Sequence, residues 1–240
     1  MPILQIGETN ISYTIRYSTR SKRSRIVVTP QSVEVVAPVN TPEEKINIFV
    51  NSKKHWLLKA FTQTHLKYPP KAPQSYVNGA QIMYQGDYFK LQIESTDVKT
   101  TIISHPNCFH IQVPQNLNEV EQELIIRQAL IDWKRLQVYP EIQKFVQIYA
   151  PKLKVKPNSI KLSQQKRAWG TCSSKGNIRI NWRLADAPLP VLEYVVAHEV
   201  THLVHPNHSK DFWQTLSIIM PDWKQRKANL KSWETQLSPL

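Results

Sequence analysis

Apolar and polar positions follow two rhythms along the chain, short alternating runs early and longer helical stretches late. Arg25–Thr29 and Val33–Ala37 are β-rich runs on either side of Pro30-Gln31-Ser32, a pattern that predicts a hairpin. Thr41-Pro42-Glu43-Glu44 reads as a helix start, with Thr41 as cap, Pro42 at the first helical position and Glu44 closing a capping box. That helix should run to about Thr64 and bury Ile46, Phe49, Val50, Leu57 and Phe61. Lys67–Ser75 holds three prolines and reads as a connection. Tyr88–Ile93, Thr100–Ser104 and Phe109–Val113 are further strand candidates. A long helix is expected from about Asn118 to Tyr149, kinked or split by Pro140. No internal repeat is visible in the residues themselves.

The last ninety residues change character, and six of the seven tryptophans lie beyond residue 130. Ser159–Ser163, Arg167–Cys172 and Asn177–Asn181 read as strands, the last two joined through Ser173-Ser174-Lys175-Gly176. Leu189–Val204 is a strongly apolar helix and Ser209–Met220 a shorter one. The fold class is therefore α+β. A soft boundary near residue 116 separates a β-rich region, 1–115, with one long helix, from a second part, 116–240.

Candidate chemistry concentrates in Ala197-His198-Glu199-Val200-Thr201-His202. Two histidines four apart on a helix face the same way and can grip one side of an ion. Glu199 is too close to His198 along the helix to join that shell easily, but it can reach an ion-activated water and take its proton. A catalytic zinc needs a third protein ligand and an open position. His205-Pro206-Asn207 breaks the helix, and His208 follows as the preferred third ligand, approaching from another direction. His205 is the alternative, as ligand, as a donor behind the ligands, or as a group polarising a substrate carbonyl. Four of the eight histidines fall within these eleven residues. An apolar helix has little reason to bury two imidazoles and a carboxylate together unless they are used. Three imidazoles with an open site suit Zn²⁺.

The neighbourhood offers further roles. Asn177–Asn181 is the candidate strand bordering a substrate cleft. Phe212 and Trp213 are expected to pack against the ligand helix, and Asp211 either supports a ligand ring or favours the first turn of its own helix. Cys172 reads as a small buried strand residue. Gly-x-Ser-x-Gly and a phosphate-binding glycine loop are both absent, and the chain has only five glycines.

Composition narrows the setting. Two cysteines far apart, no segment as long as a membrane span and no apolar leader at the N-terminus place the expected protein, reduced, in the cytoplasm. The net charge of +13 attracts polyanions, although its basic runs (Arg16 to Arg25, Lys224 to Lys231) read equally well as solvated faces.

Arg167-Ala168-Trp169-Gly170-Thr171-Cys172-Ser173-Ser174-Lys175-Gly176-Asn177-Ile178-Arg179-Ile180-Asn181-Trp182-Arg183-Leu184 resembles a signature of the YgjP-like metallopeptidases. Tyr194 to Leu203 and Asn207-His208-Ser209-Lys210-Asp211-Phe212-Trp213 resemble it too, as do the basic hairpin and the helix opening at Thr41. Position 200 is Val where that family usually has Leu. The resemblance implies a zincin-like catalytic part related to SprT-like and gluzincin-type enzymes, with His198, His202 and His208 holding Zn²⁺ and Glu199 as general base. It implies a zinc-dependent hydrolase acting on a protein or peptide, with a DNA-linked substrate suggested by the SprT-like relatives. The rival expectations are another zinc hydrolase, such as an amidase, and a DNA-associated module with a structural zinc.

Overall fold

The structure, a computed structural model, describes residues 2–7, 9–29, 32–67, 75–97, 101–105, 108–165 and 168–237. Backbone contacts divide them into two units, one holding residues 2–67 and the other 75–237. Most of the connection expected over 67–75 lies outside the described residues, as do Pro30 and Gln31 of the expected turn, Thr100 and Arg167.

The first unit is a four-stranded sheet covered by helices. β1 (Ile3–Ile6), β2 (Thr9–Ser18), β3 (Arg25–Val28) and β4 (Val33–Pro38) lie in the order β1-β2-β4-β3, with β2 and β4 parallel and the outer pairs antiparallel. The hairpin expected across residues 25–37 is there, as β3 and β4. β1 and β2 are additional to the expected elements, and β2 shows the alternation of a half-buried strand, with Ile11 and Tyr13 buried between polar neighbours. The expected helix over 41–64 is two helices, α1 (Glu43–Ser52) and α2 (Lys54–Lys67), interrupted at Lys53. Thr41 does not cap it. Its hydroxyl donates to the Pro38 carbonyl at 2.9 Å, and Pro42 takes the cap position without a side-chain bond. Leu4, Ile11, Val33 and Val35 bury their side chains against Ile46, Val50 and Leu57.

The second unit begins with β5 (Gln81–Tyr84), β6 (Asp87–Thr96), β7 (Thr101–His105) and β8 (Cys108–Pro114). Their order is β5-β6-β8-β7, again with a parallel central pair and antiparallel flanks. A helix follows here too: α3 (Glu119–Lys152), opened by a capping box between Asn118 and Glu121. The two ββββα modules keep a nearly constant spacing. β5 starts 78 residues after β1 (81 against 3), and α3 starts 76 after α1 (119 against 43). Val33, Val35 and Ala37 of the first module correspond to Phe109, Ile111 and Val113 of the second, all buried, and Val50 corresponds to Ile126. Even a cross-strand polar pair matches in place, Arg16 with Glu34 and His110 with Glu94, with the carboxylate on the opposite strand in each copy. The chain thus carries an internal structural repeat that its residues conceal, because the copies share little beyond the buried alternation and this one pair.

The second module does not stop where the first does. α3 passes through Pro140 without a break in its helical assignment. Its first half, with Ile126 and Leu130, packs on the β5–β8 sheet. Its second half, with Val138, Ile142, Phe145 and Val146, enters another core. That core holds β9 (Ser159–Ser163), β10 (Gly170–Cys172), β11 (Asn177–Asn181), a 3₁₀ turn (Trp182–Asp186), α4 (Leu189–Thr201), α5 (Lys210–Ile219) and α6 (Trp223–Leu237). Residues 75–115 therefore belong with the later part rather than ahead of a boundary near 116, since α3 is common to both cores. No helix among the described residues is long and apolar enough to cross a membrane.

A second weld is the tip of the β5–β6 hairpin. The Gln85 and Gly86 amides donate to the Ala185 and Asp186 carbonyls, both at 2.9 Å. Gly86 has φ +92°, and a methyl group there would stand 2.8 Å from Cγ of Pro188, the residue that opens α4. Both the conformation and the space demand glycine. Gly79, at φ +83°, has nothing within 4 Å of such a methyl group. Gly86→Ala should therefore cost about 1–3 kcal/mol of stability and clearly more than Gly79→Ala, measured by urea denaturation.

Candidate metal centre

α4 is buried almost all round, with Val191, Leu192, Val195, Val196, Ala197 and Val200 in the core. A helix of this kind is an interior element, so polar groups on it need a local reason. Thr201 has one, since its hydroxyl donates to the Ala197 carbonyl at 2.8 Å. His198 and Glu199 have none of that sort. Glu199 is only 5% exposed, and no hydrogen bond to its carboxyl group is found among the described residues.

The helix ends at His202, its C-cap. The chain then turns through Pro206, and Ser209 caps α5 by accepting the Phe212 amide. This reversal brings His208 back to the helix. The ring nitrogens of His198, His202 and His208 gather within 4.8 Å of one another, and Nε2 of His198 lies 2.8 Å from Nε2 of His208. Cys172 and Asp211 are not part of the cluster. Nor is His205, whose Nε2 is 2.9 Å from the Thr215 hydroxyl on α5 while its carbonyl accepts Nδ1–H of His202 at 2.9 Å. That bond sets the tautomer of His202 and leaves its Nε2 lone pair free. Asp211 sits exposed in the first turn of α5.

Aromatic rings surround the three imidazoles, as expected for Phe212 and Trp213. Phe212 is fully buried, with ring centroids 4.9, 4.6 and 4.8 Å from His198, His202 and His208. Trp213 stacks on His208, and Trp223 stacks on Trp213 at 4.5 Å. The Lys227 ammonium lies 4.4 Å from the Trp213 ring centre. Lys227 is carried by α6, which Arg226 ties to Glu193 on α4 and to Asp222. Glu193 also accepts the Tyr149 hydroxyl of α3 at 2.6 Å. Within the basic run at 224–231, taken from sequence as a charged face, Lys227 thus stands over the aromatic wall and Arg226 fastens α6 to α4.

Burial dominates the electrostatics. It pushes His198 down to about 3, helped by His202, His208 and Lys227. His208 is lowered by the same kinds of influence. Burial thus favours the neutral form of His198 and His208, and with His202 they bring three imidazole nitrogens together, the donor set that a borderline divalent ion takes. His198 Nδ1 is buried without a partner, so a protonated ring would leave a charge unsatisfied. Burial also pushes the Glu199 carboxyl up to about 8.

Beside Glu199 is a cavity of about 190 Å³, lined by Trp169, Gly170, Tyr194, Val195, His198 and Leu230. Tyr194 is the residue sequence reasoning passed over. It lies one helical turn before His198, with ring centroids 5.9 Å apart, and that spacing was the available signal. Burial, then the nearby Glu199, pushes its hydroxyl up to about 12. The candidate cleft strand needs correction. The sheet order is β10-β11-β9, so Asn177–Asn181 is the central strand, paired in parallel with β9 on one side and antiparallel with β10 on the other. β10 stands at the edge.

The two shifts have opposite consequences for metal-free protein. Glu199, raised from 4.5, contributes stability that is fully present below about 4.5 and lost as pH rises through about 8. His198, lowered from 6.5, contributes stability that is present above about 6.5 and lost as pH falls through about 3. In chelator, wild type should therefore lose stability relative to Glu199→Gln between these two Glu199 values, measured by denaturation at a series of pH values.

Comparison with known proteins adds to this geometry. Over 69 residues, 29% of this chain, the sequence is 35% identical to a UTP pyrophosphatase of Escherichia coli (strain K12). The match takes in 41% of that protein, so the chain covers under half of its length. No solved structure matches. The YgjP-like, metallopeptidase domain family matches residues 22–233, nearly the whole chain. With that extent of match, and three imidazoles converging as a metal centre requires, the chain belongs to the YgjP-like metallopeptidase family.

Proposed function

We propose that the protein is a zinc-dependent peptidase in which His198, His202 and His208 hold the ion and Glu199 is the general base. One observation carries this reading: ring nitrogens of three histidines gather within 4.8 Å of one another, and a buried carboxyl on the same helix as two of them lines the adjoining cavity. A bound zinc supplies polarisation of the scissile carbonyl and a lowered water pKa. Glu199 accepts the proton of the attacking water and returns it to the leaving nitrogen. Its raised affinity for protons suits both halves of that task at neutral pH. Tyr194 lines the same cavity and supplies a hydroxyl donor for the substrate. β10, paired only with β11 among the described strands, leaves an edge along which an extended peptide can lie. The absence of Cys172 from the cluster favours an open position over a structural zinc with four protein ligands.

A second reading is hydrolysis of a nucleotide phosphoanhydride by the same residues. The relative named UTP pyrophosphatase favours it, and so does Lys227, a cation beside the histidines suited to a phosphate. The net charge of +13 also supports association with a polyanion such as DNA, whose affinity should then fall steeply with added salt.

The deciding experiment sets a peptide-library digest beside pyrophosphate release from UTP, for wild type, Glu199→Gln and His198→Ala. Glu199→Gln should keep zinc and lose about 10²–10⁴ in rate, whereas His198→Ala should lose both metal and turnover. Full turnover by Glu199→Gln would remove the mechanism. Lys227→Met should raise KM for UTP several-fold if the phosphoanhydride reading holds and leave peptide cleavage largely unchanged if the peptidase reading holds.

A further inference from the structure

We propose that Gly170 is the positioning residue for Glu199: the side chain missing from β10 is the space in which the carboxyl stands. This rests on the reading of Glu199 as general base. Glycine weakens a strand, because it costs backbone entropy and packs nothing, and in strand interiors it often marks a close approach by another group. Position 170 is such a place. It pairs with Ile180 across β10 and β11. The glycines with positive φ are Gly7, Gly79, Gly86 and Gly176, so Gly170 does not use glycine's conformational freedom. What it uses is volume. A methyl group built there would lie 2.5 Å from Oε1, 2.6 Å from Cγ and 2.8 Å from Cδ of Glu199, the three nearest atoms. Unstrained contacts between carbons lie near ~3.5–4.0 Å. Because Cγ is among these atoms, swinging the carboxyl tip aside would not relieve the overlap.

Glu199 has little else to hold it. No hydrogen bond to its carboxyl is found among the described residues, so packing decides where the oxygens stand. α4 presses on β10 from the side that Gly170 faces. Cys172, two residues on and on the same face of the strand, is also small and packs against the same core. Any side chain at 170 would force Glu199 into another rotamer while leaving His198, His202 and His208 in place.

The test uses the full chain. Gly170→Ala should bind zinc with the wild-type stoichiometry, and its crystal structure should show the Glu199 carboxyl displaced from its wild-type place. On whichever of the peptide library or UTP wild type hydrolyses, kcat should fall about 10²-fold, as expected for a misplacement of about 1 Å, with KM changed little. Adding Gly170→Ala to Glu199→Gln should cost nothing further. A carboxyl that has not moved in the Gly170→Ala structure, or a kcat within a few-fold of wild type, overturns the proposal. If Gly170→Ala fails to fold, Gly170→Ala/Glu199→Ala decides. Recovery of folding supports the proposal, because the three nearest atoms all belong to Glu199, and continued failure overturns it. Full activity of Glu199→Gln alone would instead defeat the general-base reading, while a displaced carboxyl in Gly170→Ala would still stand.

Discussion

A carboxyl and an imidazole buried next to each other on an apolar helix are the constraint around which the second unit is organised. The carboxyl makes no hydrogen bond among the described residues, and the imidazole meets the ring of His208; isolated buried charges are costly in such a place. Burial accordingly raises the carboxyl's affinity for a proton and lowers that of the imidazole. The chain reversal at Pro206 and the Phe212 wall serve the His198 ring, and the His205 carbonyl orients the neighbouring ring of His202. Further out, the hairpin tip on Pro188 and the Tyr149–Glu193–Arg226 link keep α4 where those contacts are possible.

Much of this centre was legible in the residues. The His-Glu-x-x-His spacing, the proline break and the returning histidine depend only on helix periodicity and on proline's missing donor, both local rules. The long helix, β9, β11 and the strands around 88–113 were legible from the apolar pattern of each segment, which is local too. What was hidden depends on partners distant in sequence. Asn177–Asn181 looks like a hairpin arm until β9 arrives in parallel on its other side. Gly170 looks like one more residue of a strand until α4 lays Glu199 over it. α6 reads as a charged tail because its mean hydropathy is low and its role depends on Trp213 and Glu193.

The repeat shows how the metal-bearing half is attached. In the first module the helix breaks at Lys53, and the sheet with its two helices closes on its own buried residues. In the second, the corresponding helix continues, and its extra turns become one wall of the metal-bearing core. The same ββββα plan therefore stands once as a finished unit and once as a foundation. What the copies share in their residues is mainly an alternation of buried positions, which any half-buried strand would show, so the repeat is recognised by topology and spacing.

Lys227 also gives the approach to the histidines a sign. Its ammonium stands over the Trp213 indole, which stacks on His208. A cation nearing His208 therefore meets like charge, and an anion meets opposite charge. The wall that closes one side of the three imidazoles thus also sorts, by charge, what comes near them.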